Sequence, residues 1–146
     1  MSFVIRRPGV MPAVLAAVAA AATDTAYVSL ISSQNATGPN SGIVPFLEGY
    51  IAAIAAAAVL AVALILRGQT VPAWALLVST TTGSAALGLL AIFSIGLALL
   101  ITAVLLGVAA LRLEQTVPRP TRWVPALLGS AIALGALVAG FALWGF

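Results

Sequence analysis

Long apolar stretches alternate with short polar breaks along the whole chain. About 20 apolar helical residues, rising 1.5 Å each, cross a hydrocarbon layer of about 30 Å. The first such stretch covers 11–32 and is followed by the polar segment 33–45, SQNATGPNSGIVP. The second covers 46–66 and ends at Arg67-Gly68-Gln69-Thr70. From 71 to 113 the only charge is Arg112. One helix over that length would be roughly 60 Å long, twice the hydrocarbon thickness, so the segment must fold back. The pattern therefore predicts a third span at 72–91, a tight turn at Ala91–Gly96 (AIFSIG) and a fourth span at 95–113. The segment 114–120, EQTVPRP, ends the fourth span because its prolines block helix continuation, and the fifth covers 121–146. The spans show no period-two alternation and are rich in Ala and Leu, which disfavours a β-barrel. The expected fold class is all-α: an integral membrane bundle of five transmembrane helices in a single domain, 1–146.

Charge adds an orientation. Arg6 and Arg7 precede the first span, Arg67 lies between the second and third, and Arg112, Arg119 and Arg122 flank the break between the fourth and fifth. With five crossings all these cations share one face, and the opposite loops carry none. The positive-inside rule then places the N-terminus in the cytoplasm and the C-terminus outside. Four crossings would scatter the arginines over both faces. Trp74 and Trp123 are expected at the cytoplasmic interface, and Tyr27, Tyr50 and Trp144 near the outer one, where amphipathic rings anchor helices. The N-terminus also has features of a secretory signal: Arg6-Arg7, the short apolar run 12–22, and Ala20-Ala21-Ala22 as a small-residue cleavage site. Apolar residues resume at Ala26, Tyr27 and Val28, which favours one uninterrupted tilted span.

Composition confirms the class and narrows the chemistry. Of 146 residues, 63% are hydrophobic and 6% charged, with a mean hydropathy of +1.22. A soluble domain carries roughly 25% charged residues. The pI near 10.7 reflects a surplus of three charges and reads as orientation, not as nucleic-acid binding. The chain has no Cys, His or Lys. Thiolate and imidazole metal sites, Cys–His pairs and Schiff-base chemistry are therefore excluded. The 32 alanines and the exclusive use of Arg point to a GC-rich bacterial source, hence a plasma membrane location.

Three acids remain. Asp24 lies deep in the first span, where an Asp costs roughly 2.5–3.5 kcal/mol on insertion scales. Depth counting brings it level with the upper end of the run Ser79-Thr80-Thr81-Thr82-Gly83-Ser84 in the third span. Thr23, Thr25, Thr81, Thr82 and Ser84 are thus its expected hydroxyl partners, either as packing glue or as a proton- or cation-responsive site. Glu48 is expected in the first turn of the second span, favoured there by the helix macrodipole. Its functional alternative is one lip of an outer vestibule with Gln34, Asn35 and Tyr50. Glu114 is expected to be solvated. Asn35-Ala36-Thr37 matches a glycosylation acceptor on the outer side.

Small residues recur at Ala131, Gly135 and Ala139, with Ala136 and Gly140 beside them, at Ala103 and Gly107, and over Ala55–Ala58. They predict close helix packing, within the chain or between copies. No two acids have a catalytic spacing, so no enzyme, cofactor or metal is expected. The leading expectation is a non-enzymatic accessory or scaffold subunit whose partners are the lipid bilayer, other membrane proteins or a second copy. The alternative is a transporter or proton/cation-coupled module using Asp24.

Overall fold

The computed structural model describes residues 9–33, 43–91 and 95–144, except for the side chains of 119–122 and 144. It contains five helices: α1 (Val10–Ser33), α2 (Ile43–Leu66), α3 (Thr70–Leu90), α4 (Gly96–Glu114) and α5 (Arg119–Trp144). All five are long and apolar enough to cross a membrane. Each falls on an expected span, and the break between α3 and α4 falls in the expected 91–96 window.

The connections follow from local chemistry. Arg67 caps α2, and Gly68 takes a left-handed φ of 78°, a region an L side chain rarely adopts. The Gly68 N–H then donates to Ile65 O at 3.0 Å and the Gln69 N–H to Leu64 O at 2.9 Å, the paired bonds of a Schellman motif. At the opposite end of the bundle, the Ala91 N–H donates to Leu87 O at 2.9 Å and the Gly96 N–H to Ala91 O at 2.8 Å. Gly96 opens α4 directly over α3. No charge or proline is needed for this turn, because two glycines let the backbones meet: a methyl on Gly88 would lie 3.1 Å from Gly96 O.

α1 packs on α2 and α4, and α3 packs on the same two from the far side, so α1 to α4 form a ring of four antiparallel neighbours. α5 lies outside that ring, along α3, and reaches α2 more sparsely. α3 is therefore the central helix, with buried residues from Ala73 to Gly88. On α5, only Ala126, Leu137 and Gly140 are buried among the described side chains.

The interior is built largely from alanine. Ala13, Ala16, Ala20, Ala58, Ala61, Ala73 and Ala109 are all at most 1% exposed. Lipid offers no hydrophobic drive between helices, so close backbone approach through small residues supplies the attraction. A second cluster near the other end joins Tyr27, Ile51, Leu87, Leu99 and Leu137. The outer surface is apolar too, with Val18, Leu89, Leu97, Val104, Leu111 and Ile132 all more than 60% exposed. A helix apolar on every side belongs in a membrane or a large core, and five such helices leave only the membrane.

The aromatic expectations need correction. Tyr27 is 6% exposed and packs in the second cluster, and Trp74 is 4% exposed. Trp74 meets Trp123 edge-to-face with ring centroids 6.0 Å apart. Only Trp123, at 54% exposure, faces outward as an anchor would. The side chain of Trp144 lies outside the described residues. Interfacial depth was thus a poor guide, because it says nothing about which side of a helix a ring occupies.

Candidate functional site

Asp24 stands fourteen residues into α1, about 21 Å from its start and about 14 Å from its end. The residue is half-buried, and its Oδ1 is buried with no hydrogen-bond partner. The neighbouring hydroxyls do not serve it. Thr23 Oγ1 donates to Ala19 O at 2.8 Å, and Thr25 Oγ1 donates to Ala21 O at 2.8 Å. A hydroxyl has one proton, and in both cases the helix's own carbonyl has taken it. The expected partners on α3 are also elsewhere, since α1 packs against α2 and α4 and lies diagonally across from α3. The cluster of Asp24 with Thr81, Thr82 and Ser84 is therefore not joined by hydrogen bonds among the described residues.

The hydroxyl run of α3 behaves in the same way. Ser79, Thr80, Thr81 and Thr82 donate to Ala75, Leu76, Leu77 and Val78 O at 2.7, 2.7, 2.6 and 3.0 Å. Such back-bonding is the usual refuge of a hydroxyl in an apolar helix. Thr82 also meets Ser130 Oγ on α5 at 3.2 Å. Ser84 is fully buried, and its Oγ has no partner. Thr81 and Thr82 line a cleft of about 230 Å³ between α3 and α4, together with Trp74, Gly107 and Glu114. Glu114 is half-buried at this cleft rather than solvated as expected.

Tyr50 lies deeper in the bundle than the outer interface where the sequence places it. α2 begins at Ile43, three residues earlier than expected, with Pro45 in its first turn, where a missing N–H does no harm. Tyr50 is therefore seven residues inside α2, and Gly83 is seven residues inside the facing end of α3. The tyrosine points inward at that level. Its hydroxyl donates to Ala133 O on α5 at 2.9 Å, and a methyl on Gly83 would lie 2.7 Å from it. Gly83 is thus the space that lets Tyr50 bridge α2 to α5 across α3. The equal depths of Tyr50 and Gly83 were the available signal, hidden by the late helix start. Tyr50→Phe is expected to destabilise the bundle by about 0.6–1.7 kcal/mol, the range of interhelical hydrogen bonds in membranes. Detergent-denaturant unfolding checks this, and an unchanged midpoint would remove the bridge from the account.

The same shift moves Glu48 to the sixth residue of α2, out of the first turn. It is exposed. The expected vestibule partner Tyr50 turns away into the bundle, while Gln34 and Asn35 lie outside the described residues. Among the described residues no group of three His, Cys, Asp or Glu side chains could hold a metal.

A larger groove, of about 400 Å³, runs between α2, α3 and α5. Its walls include Ala57, Ser79, Gly83, Gly129, Ala133 and Ala136. α5 lies close on α3 along this groove, where a methyl on Gly129 would overlap Ser79 Oγ, and it reaches α2 at Phe46 and Tyr50.

Comparison with known protein families, with curated proteins and with solved structures finds no match for the chain.

Proposed function

We propose that the protein is a non-enzymatic accessory or scaffold subunit that acts by helix contacts within a bacterial plasma membrane, with its arginine-bearing face in the cytoplasm. The observation that carries this reading is the placement of α5. It docks through one side only and turns Ala131, Gly135 and Ala139 outward, and a methyl on Gly135 would touch nothing within 4 Å. Small residues favour close helix–helix approach in lipid, where a partner's backbone can come near. The interior supports the same reading, since Ser79, Thr80, Thr81 and Thr82 on α3 donate to carbonyls of their own helix.

The chain has no native cysteine, so Gly135→Cys reports contacts at this face alone. Cross-linking in native membranes is expected to join residue 135 to one defined protein, a second copy or another subunit. A Cys at Leu97, on the lipid-facing side of α4, is expected to give none. Equal, diffuse products from both positions would contradict a scaffold role.

A second reading rests on a separate observation, the unpartnered Oδ1 of Asp24 in the middle of α1. A proton- or cation-coupled module would place such a carboxyl there. Liposomes holding the wild-type protein would then show proton or cation flux that Asp24→Asn abolishes. The scaffold reading expects no flux from either protein.

A further inference from the structure

We propose that the cleft between α3 and α4 holds one tail of an aminophospholipid whose primary ammonium bonds Glu114. The cleft lies at the arginine-bearing end of the bundle, where α3 begins and α4 ends. Its α3 wall runs from Trp74 to Thr82, eight residues or about 12 Å. Its α4 wall runs from Glu114 back to Gly107, seven residues or about 10 Å. Both walls therefore start at one end of the crossing and stop near its middle, at about the depth of one hydrocarbon leaflet. With a volume of about 230 Å³, the cleft is smaller than sites that enclose a whole small molecule and is on the scale of a single chain.

The chemistry of the cleft is sorted by depth. At its inner end Thr81 donates to Leu77 O and Thr82 to Val78 O, and Thr82 also meets Ser130. Those hydroxyl protons are taken, so a polar group placed there would lose its hydrogen bonds, whereas hydrocarbon loses nothing. Val78, Ala110 and Leu111 line the middle. At the mouth stands Glu114, half-buried. It is the last residue of α4, where the helix macrodipole already places negative charge, so a carboxylate there is stabilised by an added cation. Arg112 is two residues earlier and exposed, and residues two apart do not share a side of a helix. A carboxylate has about four lone-pair sites, so Glu114 accepts an ammonium N–H beside any bond it makes within the chain. The occupant is therefore an amphiphile with a cationic head toward the arginine-bearing end and a hydrocarbon tail along α3. A primary ammonium brings three N–H donors for charge-assisted bonds. A choline has no N–H, and a glycerol headgroup carries no cation.

The test is native mass spectrometry of the full chain, released from detergent with phosphatidylethanolamine, phosphatidylcholine and phosphatidylglycerol in equal amounts. One phosphatidylethanolamine is expected to stay bound about tenfold more than either other lipid, the scale of one charge-assisted hydrogen bond. Glu114→Gln is expected to bring that ratio to about one, and Glu114→Asp to keep the preference. Gly107→Leu is expected to fill the cleft and remove the bound phosphatidylethanolamine. Leu111→Trp, at an exposed position on the same wall, replaces it if that variant fails to fold by circular dichroism. Glu48→Gln, at the other end of the bundle, is expected to change nothing. Equal retention of the three lipids by the wild-type chain would overturn the proposal, as would a preference for phosphatidylethanolamine that survives Glu114→Gln. Preferred retention of phosphatidylglycerol would assign this end to the arginines instead and overturn it too. So would a cross-link from Leu111→Cys to another protein in native membranes, because a helix would then fill the cleft.

Discussion

Gly96→Val is expected to destabilise the folded bundle by about 3 kcal/mol, the upper part of the range for overpacking. The reason is backbone, not side chain. A methyl on Gly96 would overlap Gly88 O and lie 2.6 Å from both the carbonyl carbon and the oxygen of Ala91. No rotamer change relieves a clash with backbone, so α4 would have to lift from α3 at the turn that joins them. That turn also sets Leu87 against Leu99 in the second cluster, so the loss would spread inward. Gly135→Val provides the contrast. Its methyl groups would enter open space, and its effect is expected within about 0.5 kcal/mol. Denaturing-detergent titration of both variants measures the difference. If Gly96→Val unfolds at the wild-type midpoint, the close crossing of α3 and α4 is not what joins them.

Asp24→Leu is expected to act in the opposite direction and stabilise the chain by about 2 kcal/mol. A buried polar atom without a partner costs about 1–3 kcal/mol, and its replacement by an apolar group of similar size removes that cost. Asp24 Oδ1 is such an atom, and the hydroxyls on either side donate to Ala19 and Ala21 instead. The residue is half-buried on a helix whose other buried positions are mostly alanine, so a leucine at this position can extend partly toward lipid. The same unfolding titration checks the sign. A destabilised Asp24→Leu would mean that the carboxyl gains a partner in the membrane, which is what the proton- or cation-coupled reading requires. A stabilised variant together with absent flux leaves the scaffold reading in possession of the site.

Candidate chemistry was legible in the sequence as residue type and depth, and there its legibility ended. Asp24 was identified as the costly group from its position in an apolar run. Its expected partners were chosen by height alone, and height does not say which helices are neighbours. The ring order places α1 diagonal to α3, which separates the acid from the hydroxyl run. Tyr50 shows the converse failure. Hydropathy starts α2 at 46 and puts Tyr50 near the outer interface, whereas the helix starts at Ile43 and carries it down to the level of Gly83.

Hydropathy and length by themselves determined that five helices form and, to within about three residues, where each runs. They suffice because a backbone in lipid must satisfy its hydrogen bonds within each segment, so each apolar run of about 20 residues becomes a helix whatever its neighbours are. Tertiary structure alone decided that α3 is central, that α5 is peripheral, that Ala58 and Ala103 pack inward while Ala131, Gly135 and Ala139 face out, and that a groove opens between α2, α3 and α5. Neighbour choice in lipid rests on small differences in close packing between surfaces of nearly the same composition. In a chain with 32 alanines, those differences lie in the three-dimensional fit and not in the order of residue types.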